Sequence, residues 1–159
     1  MLTCVDLVST DTDNFIDVVN ASLDAIDYLF VNEVEASRAC GMPLTQIGDC
    51  WGEKQAIVAA RSILERGVHQ AVVVHSPNGA LWSGQDGTCV WSIPEPVPTE
   101  QIASTVGAGD AFCAGALYAI HEGWSAEHAL QLAHRAAGAS LTGRTATDGI
   151  PQLSELVNG

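Results

Sequence analysis

Basic residues are what this chain has least of. Six lysines and arginines stand against 19 aspartates and glutamates, a formal net charge of −13 over 159 residues. So few cations cannot neutralise a run of phosphates, which excludes nucleic acid and anionic membrane surfaces as expected partners. Long apolar runs are missing too: no stretch approaches the roughly 20 residues that cross a bilayer as a helix. No signal-peptide pattern precedes the first strand-like run, so the expectation is a cytoplasmic protein. Paired cysteine motifs are absent. Cys4, Cys40, Cys50, Cys89 and Cys113 are an odd count without a Cys-x-x-Cys, which reads as reduced thiols in the cytosol. His69, His75, His121, His128 and His134 lack zinc-site spacing and are expected at the surface or at helix ends. The series Asp11, Asp13, Asp17 falls short of a Ca²⁺ loop because Phe15 and Ile16 occupy the positions that need a ligand and a glycine.

What is present suits a globular fold. Hydrophobic residues make up 47% and charged residues 16%. The length fits one domain, residues 1–159, able to bury about 70% of its unfolded surface. Leu2–Val8 is a strand-like run, followed by turn and cap residues over Ser9–Asn14. Phe15, Val18, Val19 and Leu23 then repeat at helical spacing. Tyr28–Val31 predicts a buried strand delivering Asn32 at its carboxyl end. Glu33–Cys40 predicts a short helix closed by Gly41. Gln55–Glu65 is amphipathic and ends at Gly67, and Ala71–His75 is a further strand. Ala80–Ser83 and Thr88–Ser92 predict a hairpin around Asp86-Gly87. Pro94, Pro96 and Pro98 mark an extended connection. Two helices follow, Gly109–His121 and Ser125–Leu141, the second capped by Ser125. Trp51, Trp82, Trp91 and Trp124 read as core or interface aromatics. Strands alternating with helices imply a layered α/β/α fold with a mostly parallel sheet, whose ligands sit at the carboxyl ends of strands.

The run Ser104-Thr105-Val106-Gly107-Ala108-Gly109-Asp110 leads directly into the small, apolar Ala111–Leu117. It places two glycines and a carboxylate at a helix start, where unpaired N–H groups and the macrodipole favour an anion. A carboxylate beside an anion hole makes sense if it takes a proton from the group attacking phosphorus. The pattern points to phosphoryl transfer to a hydroxyl. The plainer alternatives are a helix-start aspartate that complements the dipole, a tight turn at the glycines, and close helix packing at Gly115. A dinucleotide-binding loop competes less well, because the third glycine of that motif is missing. Thr105 is also placed to cap the helix.

This run resembles the C-terminal signature of the ribokinase-like (PfkB) carbohydrate kinases, with Ser104 where that family usually has aspartate. Val31-Asn32-Glu33-Val34-Glu35-Ala36 is similar to the family's Asn-x-x-Glu segment, and Val72–Gly79 and Ile150-Pro151 agree more weakly. The resemblance implies ATP and Mg²⁺ as cofactors and a sugar or small polyol as substrate. It implies Asp110 as catalytic base and Gly107, Ala108 and Gly109 as the cradle of the transferring phosphate. Asn32 and Glu35 would position Mg²⁺ through water, while Thr105, Ser76 and Gly79 would lie near the nucleotide. An Asn cap with acidic residues in the first turn, and a plain hairpin turn, account for Asn32/Glu35 and Ser76–Gly79 equally. Thr142–Ala146 aligns with a stretch that helps hold a monovalent cation and the adenine; Thr145 replacing glycine and Ser104 replacing aspartate weigh against the cation.

Family members are roughly twice this long, so the chain reads as the C-terminal half, lacking the N-terminal part and the lid. An uncovered sheet edge would follow, to be met by a second copy or by a complementing N-terminal half. A non-catalytic nucleotide-binding or interaction module derived from such a kinase is the alternative.

Overall fold

A computed structural model describes residues 1–8, 14–41 and 51–158. Cys50, Asp11, Asp13 and most of the Ser9–Asn14 turn lie outside the described residues. The chain divides into two compact units, 1–91 and 92–159.

The first unit is built on strands β1 (Cys4–Asp6), β2 (Tyr28–Asn32), β3 (Ala71–Ser76), β4 (Gly79–Gly84) and β5 (Cys89–Ser92). They form one sheet in the order β1-β2-β3-β4-β5. β1, β2 and β3 run parallel, with Leu29 beside Val72 and Asn32 beside His75, and β4 returns antiparallel to β3. Helices α1 (Phe15–Ser22), α2 (Glu33–Cys40) and α3 (Glu53–Leu64) supply the connections of the parallel part. Parallel strands need such crossovers and become buried on both faces, which is why β2 and β3 read as unbroken apolar runs. Leu29, Val31, Val72, Val74 and Leu81 join the helices in one core with Leu23, Ala56, Ala60 and Ile63. On the alternate face Phe30, Val73 and Ala80 are equally inaccessible. At about 1.5–3 kcal/mol for each fully buried large aliphatic or aromatic side chain, these strands dominate the stability of the unit.

The ends of elements follow local chemistry. α2 stops at Gly41, whose φ of 71° is the left-handed C′ geometry. α1 starts after Asn14, although the Asn14 side chain makes no capping bond. Trp51 and Trp82 are buried, as expected of core aromatics.

The second unit opens with the proline-marked segment and a single 3-10 turn at Thr99–Gln101. Helices α4 (Ala108–His121) and α5 (Ala126–Leu141) follow as a pair in close contact, and a short α6 (Leu153–Asn158), unforeseen from the sequence, comes after them. Gly115 lets α4 and α5 approach: a Cβ there would stand 2.9 Å from the Cα of Ala133. Ser125 caps α5 by accepting from the His128 N–H. Trp124 packs edge-on against Tyr118.

Candidate functional site

In the second unit the Ser104–Asp110 run forms the turn that starts α4. Its approach is anchored by the Ala103 and Ser104 N–H groups, both donating to the Leu141 carbonyl at 2.8 and 3.3 Å. Ser104 Oγ accepts from the Val106 N–H at 3.1 Å. Gly107 then takes φ 87°, which costs a glycine little and a side-chain-bearing residue much more. A Cβ on Gly107 would lie 2.5 Å from the Cβ of Ala146 and 2.8 Å from its Cα, so close approach demands glycine a second time. Thr105 does not cap this helix through its hydroxyl as expected: Gly107 is the N-cap residue, with no side-chain cap, and only the Thr105 carbonyl is used, by the Ala108 N–H at 3.4 Å. The turn has already placed Thr105 outside the helical path.

The first regular helical bond of α4 is Ala111 N–H to the Gly107 carbonyl, 2.9 Å. The Gly109 and Asp110 N–H groups therefore have no intrahelical acceptor and sit at the positive end of the dipole. Asp110 is exposed in the first turn, and among the described residues its carboxylate has no hydrogen-bond or ionic partner. This is a helix terminus with anion-binding donors beside an uncommitted proton acceptor.

A cavity of about 270 Å³ lies in the same unit, lined by Pro96–Pro98, His134, Gly138 and Thr142 together with the charged Glu95 and Arg135. It falls just below the usual range for whole small-molecule sites. His134 corrects the expectation of surface histidines. It is half-buried in the middle of α5, edge-on to the Phe112 ring at 5.4 Å between centroids. Its Nε2 lies 3.1 Å from the Ser92 carbonyl, which can only accept, so Nε2 carries the proton. Desolvation holds His134 below the ordinary histidine value, with the Ser92 bond opposing this in part. The available signal was its place inside the small-residue run Leu132–Ser140, where a helix face packs closely; nothing in its spacing marks a ligand.

In the first unit Asn32 and Glu35 form a reciprocal capping box. Asn32 Oδ1 accepts from the Glu35 N–H at 2.8 Å, and Glu35 Oε2 accepts from the Asn32 N–H at 2.9 Å. Glu35 is only 3% exposed. The cap uses one of the two lone pairs of the Asn32 amide oxygen, while its NH₂ group can only donate. The hard oxygens of the pair are of the kind that Mg²⁺ accepts, directly or through water. Beside it Glu33 is pushed up, chiefly by burial and also by the Glu35 charge. No cluster of three or more His, Cys, Asp or Glu side chains able to hold a metal occurs among the described residues.

Ser76 and Gly79 bracket a two-residue hairpin turn between β3 and β4. Ser76 Oγ donates to the Gly79 carbonyl at 3.1 Å and accepts from Asn78 N–H at 3.3 Å. Turn formation thus uses the Ser76 hydroxyl. Ser104 is a neutral hydroxyl that accepts from the Val106 N–H, where the resemblance expects an aspartate.

The family description pfkB family carbohydrate kinase matches residues 2–153. The chain belongs to this family. Ribokinase of Arabidopsis thaliana is 33% identical over 141 residues, 88% of this chain and 35% of that protein. Its structure complexed with ribose and ATP superposes with a TM-score of 0.80 at 28% identity, covering 99% of this chain and 46% of the other. 1-Phosphofructokinase of Escherichia coli K12 is 39% identical over 80 residues, 50% of this chain and 24% of that protein. A putative ribokinase II from E. coli, solved with ATP and Mg²⁺, has a TM-score of 0.70 at 22% identity, with 89% and 41% coverage, a likeness of fold alone. The fold is ribokinase-like, and the chain spans 35% of the ribokinase by sequence alignment and 46% of it by superposition.

Proposed function

We propose that residues 1–159 act as the C-terminal, nucleotide-binding and catalytic half of a cytoplasmic carbohydrate kinase that transfers a phosphoryl group from ATP to a hydroxyl of a sugar or similar small polyol. The observation that carries this reading is the start of α4, where partnerless N–H groups adjoin the uncommitted Asp110 carboxylate.

Asp110 accepts the proton of the attacking hydroxyl. Backbone N–H groups of Gly107, Ala108 and Gly109 hold the transferring phosphate, with the glycines keeping Cβ atoms out of its path. The cavity bounded by His134 and Pro96–Pro98 takes the base of the nucleotide, and Thr105, Ser76 and Gly79 contribute to nucleotide binding. Asn32 and Glu35 assist Mg²⁺ from outside its first coordination sphere. Bound Mg²⁺ would neutralise charge building on the phosphate oxygens. The sugar pocket is contributed by a complementing N-terminal half, or the open sheet edge is covered by a second copy. Likeness to ribokinase and 1-phosphofructokinase supports the substrate class.

The coverage of 35% of the ribokinase favours a second reading, a non-catalytic nucleotide-binding or interaction module. Calorimetric titration with Mg·ATP, then assay of the chain mixed with an N-terminal half of a family member, separates the two. Saturable binding with phosphorylation on mixing supports the kinase; binding without turnover supports the nucleotide-binding module; no binding by folded chain removes both of these and leaves only an interaction module.

A further inference from the structure

The loop after α5 touches the anion hole and is closed by its own atoms. Thr145 N–H donates to Asp148 Oδ1 at 2.9 Å, and Asp148 N–H donates to Thr145 Oγ1 at 3.3 Å. The two residues thus bond reciprocally across three positions. The loop is also folded tightly: a Cβ on Gly149 would stand 2.5 Å from the Ala139 carbonyl oxygen and 2.6 Å from the Gly143 nitrogen. Ala146 lies inside this brace, and it is Ala146 that occupies the space where a Cβ on Gly107 would stand. At the other end, Leu141 holds Ala103 and Ser104 through its carbonyl.

We infer that Thr145 and Asp148 are positioning residues for the anion hole: their brace sets Ala146 against Gly107 and so fixes where the N–H groups that begin α4 point. This rests on the phosphate-cradling role proposed above for Gly107–Gly109. A bond to an ionised acceptor is stronger than a neutral one, so Asp148 carries more of the brace than the Thr145 hydroxyl. In this inference both residues act through Ala146 and Gly107. Donors fixed before the anion arrives need not be ordered as it binds, which is the gain from such a brace.

The test is amide hydrogen exchange on Asp148→Ala, Asp148→Asn and Thr145→Val in the full 159-residue chain, followed by Mg·ATP titration. Asp148→Ala should speed exchange in both 142–149 and 104–110 by about tenfold, with β3 and β4 unchanged. Asp148→Asn, which keeps an oxygen acceptor, should restore most of the protection, and Thr145→Val should fall between. Mg·ATP affinity should follow the same order. Faster exchange in 142–149 with 104–110 unchanged would overturn the inference, as would Asp148→Asn behaving like Asp148→Ala. If the wild-type chain binds no Mg·ATP, the kinase reading fails while the exchange data still decide the brace.

Discussion

Helices α2 and α4 both carry a carboxylate at the third helical position, and they use it in opposite ways. In α2 the N-cap is Asn32, and Glu35 folds back onto the Asn32 N–H while the Asn32 side chain takes the Glu35 N–H. Both groups satisfy the helix start. In α4 the N-cap is Gly107, which has no side chain to offer, and the shorter Asp110 stays exposed without a partner among the described residues. Buried and bonded back to the Asn32 N–H, Glu35 has an explanation in folding. Asp110 and the donors around it are not, and unspent hydrogen-bonding capacity at a helix terminus is where ligand chemistry has room.

The largest effect should come from Asp110→Asn. In the assembled kinase, turnover should fall about 10²- to 10⁴-fold while calorimetric Mg·ATP affinity stays within a few-fold. Equal loss of both would put Asp110 in the same structural class as Glu35 and erase the contrast. Gly107→Ala comes next. The left-handed φ and the contact with Ala146 should together cost about 1–3 kcal/mol in thermal unfolding, with loss of nucleotide binding. A variant as stable as wild type would show that the turn relaxes freely.

The α2 side of the comparison is sharpened by two variants. Asn32→Ala should lose about 1 kcal/mol as a broken cap. Glu35→Gln keeps an acceptor for the capping box, so stability should hold within a few tenths of a kcal/mol. Any accompanying rise in the Mg²⁺ concentration needed for half-maximal activity would then report the metal role alone; an unchanged Mg²⁺ requirement would leave the pair purely structural.

The smallest effect is a pH slope. His134 is held below its ordinary value, so between the free histidine value near 6.5 and the lower folded value the unfolded chain binds more protons than the folded one. Stability should therefore be full above that window and decline as pH falls through it. Comparing unfolding midpoints of wild type and His134→Gln across mildly acidic pH checks this: the variant should lose that part of the slope.

Local signals made much of this chain legible. The apolar Tyr28–Val31 and Ala71–His75 runs, Gly41 after α2, Ser125 before α5 and the Asp86-Gly87 turn each depend on a few neighbouring residues, and the structure places elements there. The Gly107–Asp110 turn was equally readable, because a helix start is defined within about four residues. Element ends were less so: α3 begins at Glu53, two residues before the apolar periodicity shows it, and the first strand spans only Cys4–Asp6 of a longer apolar run.

Sequence alone determined the family-bearing motifs, the alternation of strands and helices, and the acidic net charge. Tertiary structure decided three things. It made Asn32 and Glu35 a closed capping box, since only coordinates distinguish a carboxylate that folds back from one that does not. It drew His134 onto a cavity wall, because burial of a mid-helix residue depends on what packs beside it. It set Ala146 against Gly107, a contact between residues 39 apart in the chain. Short-range chemistry can be read from neighbours in sequence, whereas contacts across tens of residues arise only when helices and loops pack.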